Sequence, residues 1–367
     1  MIKKDTRCAL IFGGAGFIGS NLAHHLLTGS DAHVHIFDNL SRACVHHNLE
    51  WLRKAAGSSG RLQVTLADVR DSRAVESAVL QANEIYHFAA QVAVTTSISD
   101  PRLDFEVNLG GTFNILDAAR RGGHKPFIFF ASTNKVYGSL EVVAQATNGR
   151  RYTCAGYLGT AESQPLDFHS PYGCSKGAAD QYVRDFARIY DLPTVVFRMS
   201  CVAGPRQFGT EDQGWVAHFL YSALQQAPIV IYGDGRQVRD VLCVHDLLRA
   251  LDAVRLNLDV TRGQVYNVGG GMDNTVSLLE LMDEIEALTG QRPLYVLDER
   301  RPGDQLIYVT DCGKICGDTG WKPEIGITQT LGLLRAFWEE NRNFFHRRAV
   351  VRPRPFPVAT EALGRAG

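Results

Sequence analysis

The sequence predicts an α/β fold with a doubly wound parallel sheet and a smaller C-terminal α/β lobe. Three observations predict it. Short apolar runs alternate with longer amphipathic stretches over residues 8–135, a glycine-rich turn follows the first apolar run directly, and the alternation gives way to loops after Cys201. Strand and helix alternating at this spacing implies right-handed βαβ units, which place a parallel sheet between two layers of helices.

Taken in order, residues 8–12 read as the first strand and 21–27 as part of the helix after the glycine turn. Strands are expected at 33–38, 62–68, 84–88 and 126–131, with helical patterns between them. A helix beginning near Pro171 precedes a further strand at 194–198. Beyond Cys201 the chain offers loops at 204–214 and 233–239, a helix at 276–288, and short strands near 229–232 and 294–297. Residues 1–200 are therefore expected to form the first domain, and 201–344 mainly the second lobe, with the chain free to cross between them. Residues 345–367, rich in Arg and Pro, are expected to be a disordered tail. The stretch 139–166 exceeds ordinary connection lengths and reads as a functional flap.

Composition narrows the function classes. The 367 residues are 45% hydrophobic, ample for a large core. With 38 basic and 39 acidic residues the net charge is −1, so neither nucleic acid nor an anionic membrane surface is an expected partner. Eight cysteines are scattered singly, unlike the framework of a small secreted domain, and point to reduced thiols in a cytoplasmic setting. Cys312 and Cys316 are close, but no second pair at zinc-ligand spacing accompanies them, and no metal is expected. The apolar run after Lys3 and Lys4 is broken by Gly13, Gly14, Gly16 and Gly19, which suits a strand and turn better than an export signal. Elsewhere no uncharged apolar run approaches the roughly 20 residues that span a bilayer.

Gly13-Gly14-Ala15-Gly16-Phe17-Ile18-Gly19 lies between a strand and a helix. There one small residue permits the tight turn, another lets the backbone approach a pyrophosphate, a third lets helix and strand pack, and the helix N-terminus attracts phosphate. A Rossmann-like sheet that binds NAD is the expectation. Asp38 ends the second strand about 20 residues on, where a carboxylate accepts from ribose hydroxyls and repels a 2′-phosphate. Arg42 is either a cation that softens this preference or a solvated loop residue. Asp68 and Val69 end the third strand near an adenine edge, although Asp68 equally suits a helix cap.

Tyr172 and Lys176 stand four apart in the expected helix and share a face. An ammonium there lowers the phenol pKa, and a positive nicotinamide would lower it further, giving a general base near neutral pH. The fifth strand ends in Ala131-Ser132-Thr133-Asn134-Lys135, which delivers hydroxyls to the carboxyl edge of the sheet, where ligands bind in this architecture. Thr133 or Ser132 can hydrogen-bond a reacting oxygen; Ser132 equally suits satisfaction by its own backbone.

The glycine loop, His87-Phe88-Ala89-Ala90, the segment from Ser132 to Gly138 and the Tyr172/Lys176 pair together resemble the extended short-chain dehydrogenase/reductase family of nucleotide-sugar enzymes, over residues 7–340. Within it, residues 91–97, 168–182 and 212–216 are similar to members that invert C2 of a CDP-linked hexose. The resemblance implies Thr133, Tyr172 and Lys176 as the catalytic set. For NAD it implies Gly13, Gly16, Phe17, Ile18 and Gly19 of the loop; Asp38, Asn39, Ser41, Arg42, Asp68 and Val69 on the adenosine side; and Phe88, Ala89, Ala90, Gln91, Asn108 and Ser132 nearer Tyr172 and Lys176. For the nucleotide sugar it implies Val94, Ser97, Thr133, Asn134 and Cys201, then Gln213, Gly214 and Trp215. Arg206, Arg239 and Arg301 are candidates for the diphosphate, since guanidinium groups bind phosphate bidentately, and the resemblance of 233–240 to the family's substrate loop favours Arg239. A homo-oligomer, dimer or tetramer, paired through helices near 104–119 and 171–190, is also implied.

The chain departs from the family's pattern at Phe12, where members carry Thr, and at the run from Cys201 to Arg206, where they carry Asn-Val-Tyr-Gly-Pro-Arg. The family's 4,6-dehydratases place Asp-Glu after the catalytic Thr; here Asn134 and Lys135 follow it. Elimination is therefore disfavoured, and oxidation followed by re-reduction is the expected chemistry, inverting C2 of a CDP-hexose of the paratose, tyvelose or glucose type. A UDP-hexose 4-epimerase shares every first-lobe motif. A non-catalytic NAD-binding protein shares the fold, although both Tyr172 and Lys176 are retained. A net reductase would consume free NAD(P)H.

Overall fold

A computed structural model describes residues 7–140, 146–301 and 304–348. The chain opens with β1 (Cys8–Phe12), α1 (Phe17–Gly29), β2 (His33–Asp38), α2 (Val45–Ala56), β3 (Leu62–Leu66), α3 (Ser72–Val79) and β4 (Glu84–His87). Helices α4 (Val94–Ser99) and α5 (Pro101–Phe105), one π-helical turn (Glu106–Gly110) and α6 (Gly111–Gly122) lead to β5 (Phe127–Thr133). After the short β6 (Ala146–Thr147) and β7 (Tyr152–Thr153) come α7 (Ser170–Tyr190), β8 (Thr194–Met199), β9 (Cys201–Ala203), α8 (Trp215–Leu224), β10 (Ile229–Tyr232), β11 (Val238–Cys243), α9 (Val244–Leu256), α10 (Leu258–Thr261) and β12 (Gln264–Val268). The last stretch is β13 (Thr275–Ser277), α11 (Leu278–Thr289), β14 (Tyr295–Asp298), β15 (Ile307–Tyr308), α12 (Gly313–Thr319), α13 (Ile327–Glu340) and α14 (Arg342–Arg348).

Seven parallel strands form the main sheet in the order β12-β8-β5-β4-β1-β2-β3. The chain builds outward from β1 to β3, then crosses to β4 and builds the other way. The strand order thus reverses between β1 and β4, which opens a crevice at their carboxyl ends. All seven residues of β5 are buried, as a parallel strand covered on both faces requires. One core layer packs α1 and α9 on the sheet, the other α3, α6 and α7.

The second lobe joins β9, β11, β13 and β15 in one small sheet and β10 with β14 in another, covered by α8, α11 and α13. It is not contiguous: α9 and β12, from the later half of the chain, pack with the main sheet. Strand β3 stops at Leu66 rather than residue 68, and β4 at His87 rather than 88. Strand β5 runs on to Thr133, beyond the expected end at 131, because β8 pairs with it through Met199. The helix expected over 276–288 starts at Leu278: Ser277 and Glu280 form a capping box, and the residues before it pair with β11. Of the expected tail, Phe345 lies in α14 with its ring buried in the second lobe's core; residues 349–367 lie outside the described residues. Among the described residues, no helix is long and apolar enough to cross a membrane and no disulfide links two cysteines.

Candidate active site

The glycine loop occupies the crevice at the strand-order reversal. Gly13 has φ +75°, donates to Phe37 O at 2.8 Å, and leaves no room for a side chain: a Cβ would stand 2.7 Å from Ala89 N. At Gly19 a Cβ would meet Gly13 O at 2.3 Å, so α1 packs backbone to backbone on the loop. Gly16 differs, since a Cβ there would have only Gly13 O within 4 Å, at 3.1 Å. Gly16 caps α1 with no side-chain hydrogen bond and no acid follows in the first turn, so this helix N-terminus is suited to a pyrophosphate.

Asp38 also holds the loop: its carboxylate accepts from Ala15 N at 3.0 Å and Leu40 N at 2.8 Å. Burial raises its pKa although these amides and Arg42 oppose the rise. Arg42 is near enough for its charge to act on both Asp38 and Tyr172. On the rim, Asn39 donates to Asp68 at 2.9 Å and Ser41 N to Asn39 Oδ1 at 3.0 Å. Arg70 grips Asp68 and holds it down to about 2. The cap of α3 is Asp71, so the capping alternative for Asp68 falls. Val69 is buried against Gly111, where a Cβ would lie 2.6 Å from its side chain.

Deeper in, Phe17, Ile18, Phe88 and Ala90 line a cleft of about 670 Å³ that runs from the loop into the second lobe. Ala89 backs Gly13. Gln91 and Asn108 form a buried knot with Asp104: Asp104 Oδ1 accepts from Gln91 Nε2 at 2.9 Å and Asn108 Nδ2 at 3.0 Å, while Asn108 Oδ1 receives Gln91 N at 2.9 Å. Asn108 sits in the π-helical turn, which turns its amide onto Ser175 Oγ, 3.1 Å away and next to Lys176.

Thr133 ends β5, and Tyr172 and Lys176 occupy the first turns of α7; all three are buried in the cleft floor. The Tyr172 phenol lies close enough to Thr133 for the hydroxyl to act on its ionisation. Burial pushes this phenol up to about 12; Thr133 and Arg42 pull it down and Asp104 raises it. The expected lowering by Lys176 is therefore not found. Burial depresses Lys176 itself to about 7, against Asp180 and Asp104, with Nζ 4.1 Å from the Phe130 ring centroid. Ser132 lines the cleft, but its hydroxyl donates to Asp180 at 2.9 Å, not to its own backbone. That carboxylate forms a buried pair with Arg198, at 2.8 and 3.0 Å, and the chain of bonds continues through Tyr137 to Asn267.

On the second-lobe side the cleft receives Val94, Asn134, Cys201, Gln213, Gly214, Trp215, Arg239 and Arg301. Trp215 Nε1 donates to Cys201 Sγ at 3.3 Å, so the departure at Cys201 sits on the cleft wall. Arg239 gives one Nη to Asp304 at 2.7 Å and Gln305 O at 2.6 Å, and the other to Val238 O at 2.7 Å. Arg301 stacks on Tyr232 at 3.9 Å and reaches Asp212 at 3.2 Å.

Residues 10–333 match the GDP-mannose 4,6 dehydratase family. CDP-paratose 2-epimerase of Salmonella typhi is 43% identical over 86% of this chain and 94% of its own length. The chain belongs to this family of extended short-chain dehydrogenases/reductases. The family includes dTDP-glucose 4,6-dehydratase of Salmonella typhimurium, 34% identical over 88% of this chain and 91% of its own. A solved UDP-glucose 4-epimerase of Thermus thermophilus, in complex with NAD, superposes with a TM-score of 0.73 at 30% identity, covering 90% of this chain and 99% of that one.

Two of the residues expected on the nucleotide sugar stand elsewhere. Arg206 lies between Trp51 and Phe337, its guanidinium 4.2 and 5.1 Å from their ring centroids, and is outside the cleft lining. Ser97 is fully buried, with its hydroxyl bonded to Val94 O within α4. Conversely, the cleft gathers Lys135, Tyr232 and Asp304, and the knot behind it gathers Asp104. Lys135 was visible in the sequence only as a missing Glu. Asp104 and Asp304 carry no local motif and come to the site through tertiary packing.

Proposed function

We propose that the chain is an NAD-dependent epimerase that inverts C2 of a CDP-linked hexose of the CDP-paratose, CDP-tyvelose or CDP-glucose type. One observation carries the choice of reaction: the residues after Thr133 are Asn134 and Lys135, and the carboxylate facing them, Asp304, is held ionised. Burial works to raise Asp304, but Arg239 and Lys135 outweigh it and keep its pKa below the ordinary range. No acid stands ready for elimination beside Thr133 among the described residues. The 43% identity to CDP-paratose 2-epimerase supports C2 as the carbon.

Bound NAD would accept hydride from the sugar and return it. The uncapped N-terminus of α1, the loop held by Asp38 and the tight contacts at Gly13 and Gly19 would retain it between turnovers. Thr133 holds the hydroxyl oxygen and Tyr172 takes its proton. With its pKa near 12, Tyr172 stays protonated until positive charge beyond Arg42 arrives, which ties its base form to the loaded site. The phenol returns the proton when the ketone is reduced on its other face, after the sugar has turned about its diphosphate bonds. Residues 1–200 serve as the cofactor domain in this reading and 201–344 mainly as the nucleotide-sugar lobe. A cytoplasmic location accords with the scattered cysteines.

A homo-oligomer belongs to the same reading, since Phe113 of α6 and Tyr182 of α7 stand 43% and 44% exposed with their rings 6.0 Å apart. Light scattering is expected to give a dimer or tetramer; a monomer alone overturns this part.

The deciding experiment incubates purified protein, without added cofactor, with CDP-glucose and CDP-paratose in deuterated buffer, followed by proton NMR. A new C2 epimer without deuterium at C2 is expected, and none from Tyr172→Phe. Inversion at C4, or of UDP-hexoses only, replaces the reading with a 4-epimerase.

A further inference from the structure

The cleft's cations differ in how many of their donors the protein has already used. Both Nη groups of Arg239 bond to protein oxygens, and Arg301 is stacked and paired. Lys176 lies deeper, over Phe130. Lys135, in the 3-10 turn that continues β5, has one ion-pair partner among the described residues: Asp304 Oδ1, at 3.6 Å, beyond hydrogen-bond reach. That carboxylate is shared with Arg239, at 2.7 Å, so two cations face one anion and a positive charge is left over. The Lys135 side chain is only 25% exposed, and burial lowers its pKa against Asp304. Three ammonium hydrogens on a largely buried side chain with so little to bond invite an anionic oxygen.

We propose that the Lys135 ammonium binds the sugar-bearing phosphate of the substrate and thereby presents C2, rather than a carbon across the ring, to Thr133 and Tyr172. The inference rests on the C2 reading above. Its chemistry follows from connectivity. The phosphate is attached through oxygen to C1, the immediate neighbour of C2, so a sugar reacting at C2 carries its phosphate close to the reacting oxygen. A sugar reacting at C4 carries it on the far side of the ring. Lys135 is two residues from Thr133, where the first arrangement needs a cation and the second does not. Asp304, itself held by Arg239, faces the ammonium from the second-lobe side of the cleft.

The test measures binding of CDP and CMP to the NAD-loaded enzyme, alongside UDP and UMP, for wild type, Lys135→Met and Lys135→Arg, with NAD content and C2 turnover recorded on the same samples. The β-phosphate is what CDP has and CMP lacks. Lys135→Met is expected to weaken the diphosphate about tenfold, as loss of a charged hydrogen bond does, and to leave the monophosphate unchanged. It is also expected to raise KM for the nucleotide sugar, while Lys135→Arg restores most of the difference. Equal weakening of CDP and CMP, as a merely structural role through Asp304 would give, overturns the proposal, and so does no weakening of either. Wild type that inverts C4, or that binds none of the four nucleotides, overturns the reading beneath it and the proposal with it. Wild type that inverts C2 with no β-phosphate effect at Lys135 overturns the proposal alone.

Discussion

At the scale of single residues, Tyr172 and Lys176 were legible because a spacing of four in a helix fixes a shared face whatever the fold around it. Their electrostatics were not legible, since both shifts are led by burial, which depends on every neighbour. The Lys176 shift makes a prediction. Its folded pKa of about 7 lies below the ordinary 10.5, so below pH 7 the native protein bears the full cost of a buried cation. Between those values the folded chain has lost a proton that the unfolded chain keeps, and stability from this group rises with pH. In cofactor-free protein Lys176→Met is therefore expected to be most stabilised relative to wild type near pH 6, with the gap closing toward pH 9. Urea midpoints for both proteins across that range check it; a gap that stays constant or widens contradicts the shift. Arg206 shows the converse limit: an arginine after Gly-Pro looks free to meet phosphate in the sequence, yet Trp51 and Phe337 claim it.

Among the elements, those with a period or a turn signature were read closely. Strands β1, β2 and β10 have the expected ends, because apolar runs bounded by turn residues mark strand limits. The misplaced boundaries have local causes. Pairing with β8 carries β5 onward to Thr133, and the Ser277–Glu280 box delays α11. Strand β12 was missed altogether; its place beside β8, at the sheet's edge, follows from topology rather than from composition. The β1-loop-α1 unit is the element on which cofactor retention depends. Gly19→Ala would put a methyl 2.3 Å from Gly13 O and 2.8 Å from Gly14 Cα, both backbone, so the loop or the helix must move. A loss of about 1–3 kcal/mol of stability is expected, with bound NAD falling well below one per chain as purified. Thermal unfolding and absorbance after acid release check it, and full NAD content in the variant would contradict the reading of the loop.

For the molecule as a whole, the α/β architecture and the two lobes were visible in the sequence, but not how tightly the chain binds them together. Residues 146–166 bear this out. Arg151 meets Glu280 at 2.6 and 2.7 Å and Thr275 O at 3.1 Å, Arg150 pairs with Asp283, and Tyr152 bonds to Asp234 at 2.7 Å, all in the second lobe. Farther on, Thr160 pairs with Val309 and Glu162 accepts from Asn267 N of β12 at 2.6 Å. Arg151→Ala is expected to cost about 1 kcal/mol, since the pair is partly exposed, and to raise KM for the nucleotide sugar severalfold with NAD content unchanged. Steady-state kinetics beside an NAD assay check it; an unchanged KM means the strap does not report to the cleft.

The same connection leaves the main sheet just after Thr133 and enters α7 just before Tyr172. The hydroxyl and the phenol are thus the two ends of a single tether whose middle is fastened to the second lobe. A shift of that lobe would therefore be felt at both ends together. On the proposed reading, a half-turned keto sugar would be guarded by more than the walls around it, because a nucleotide loosening from that lobe would tug on the pair that reduces the ketone.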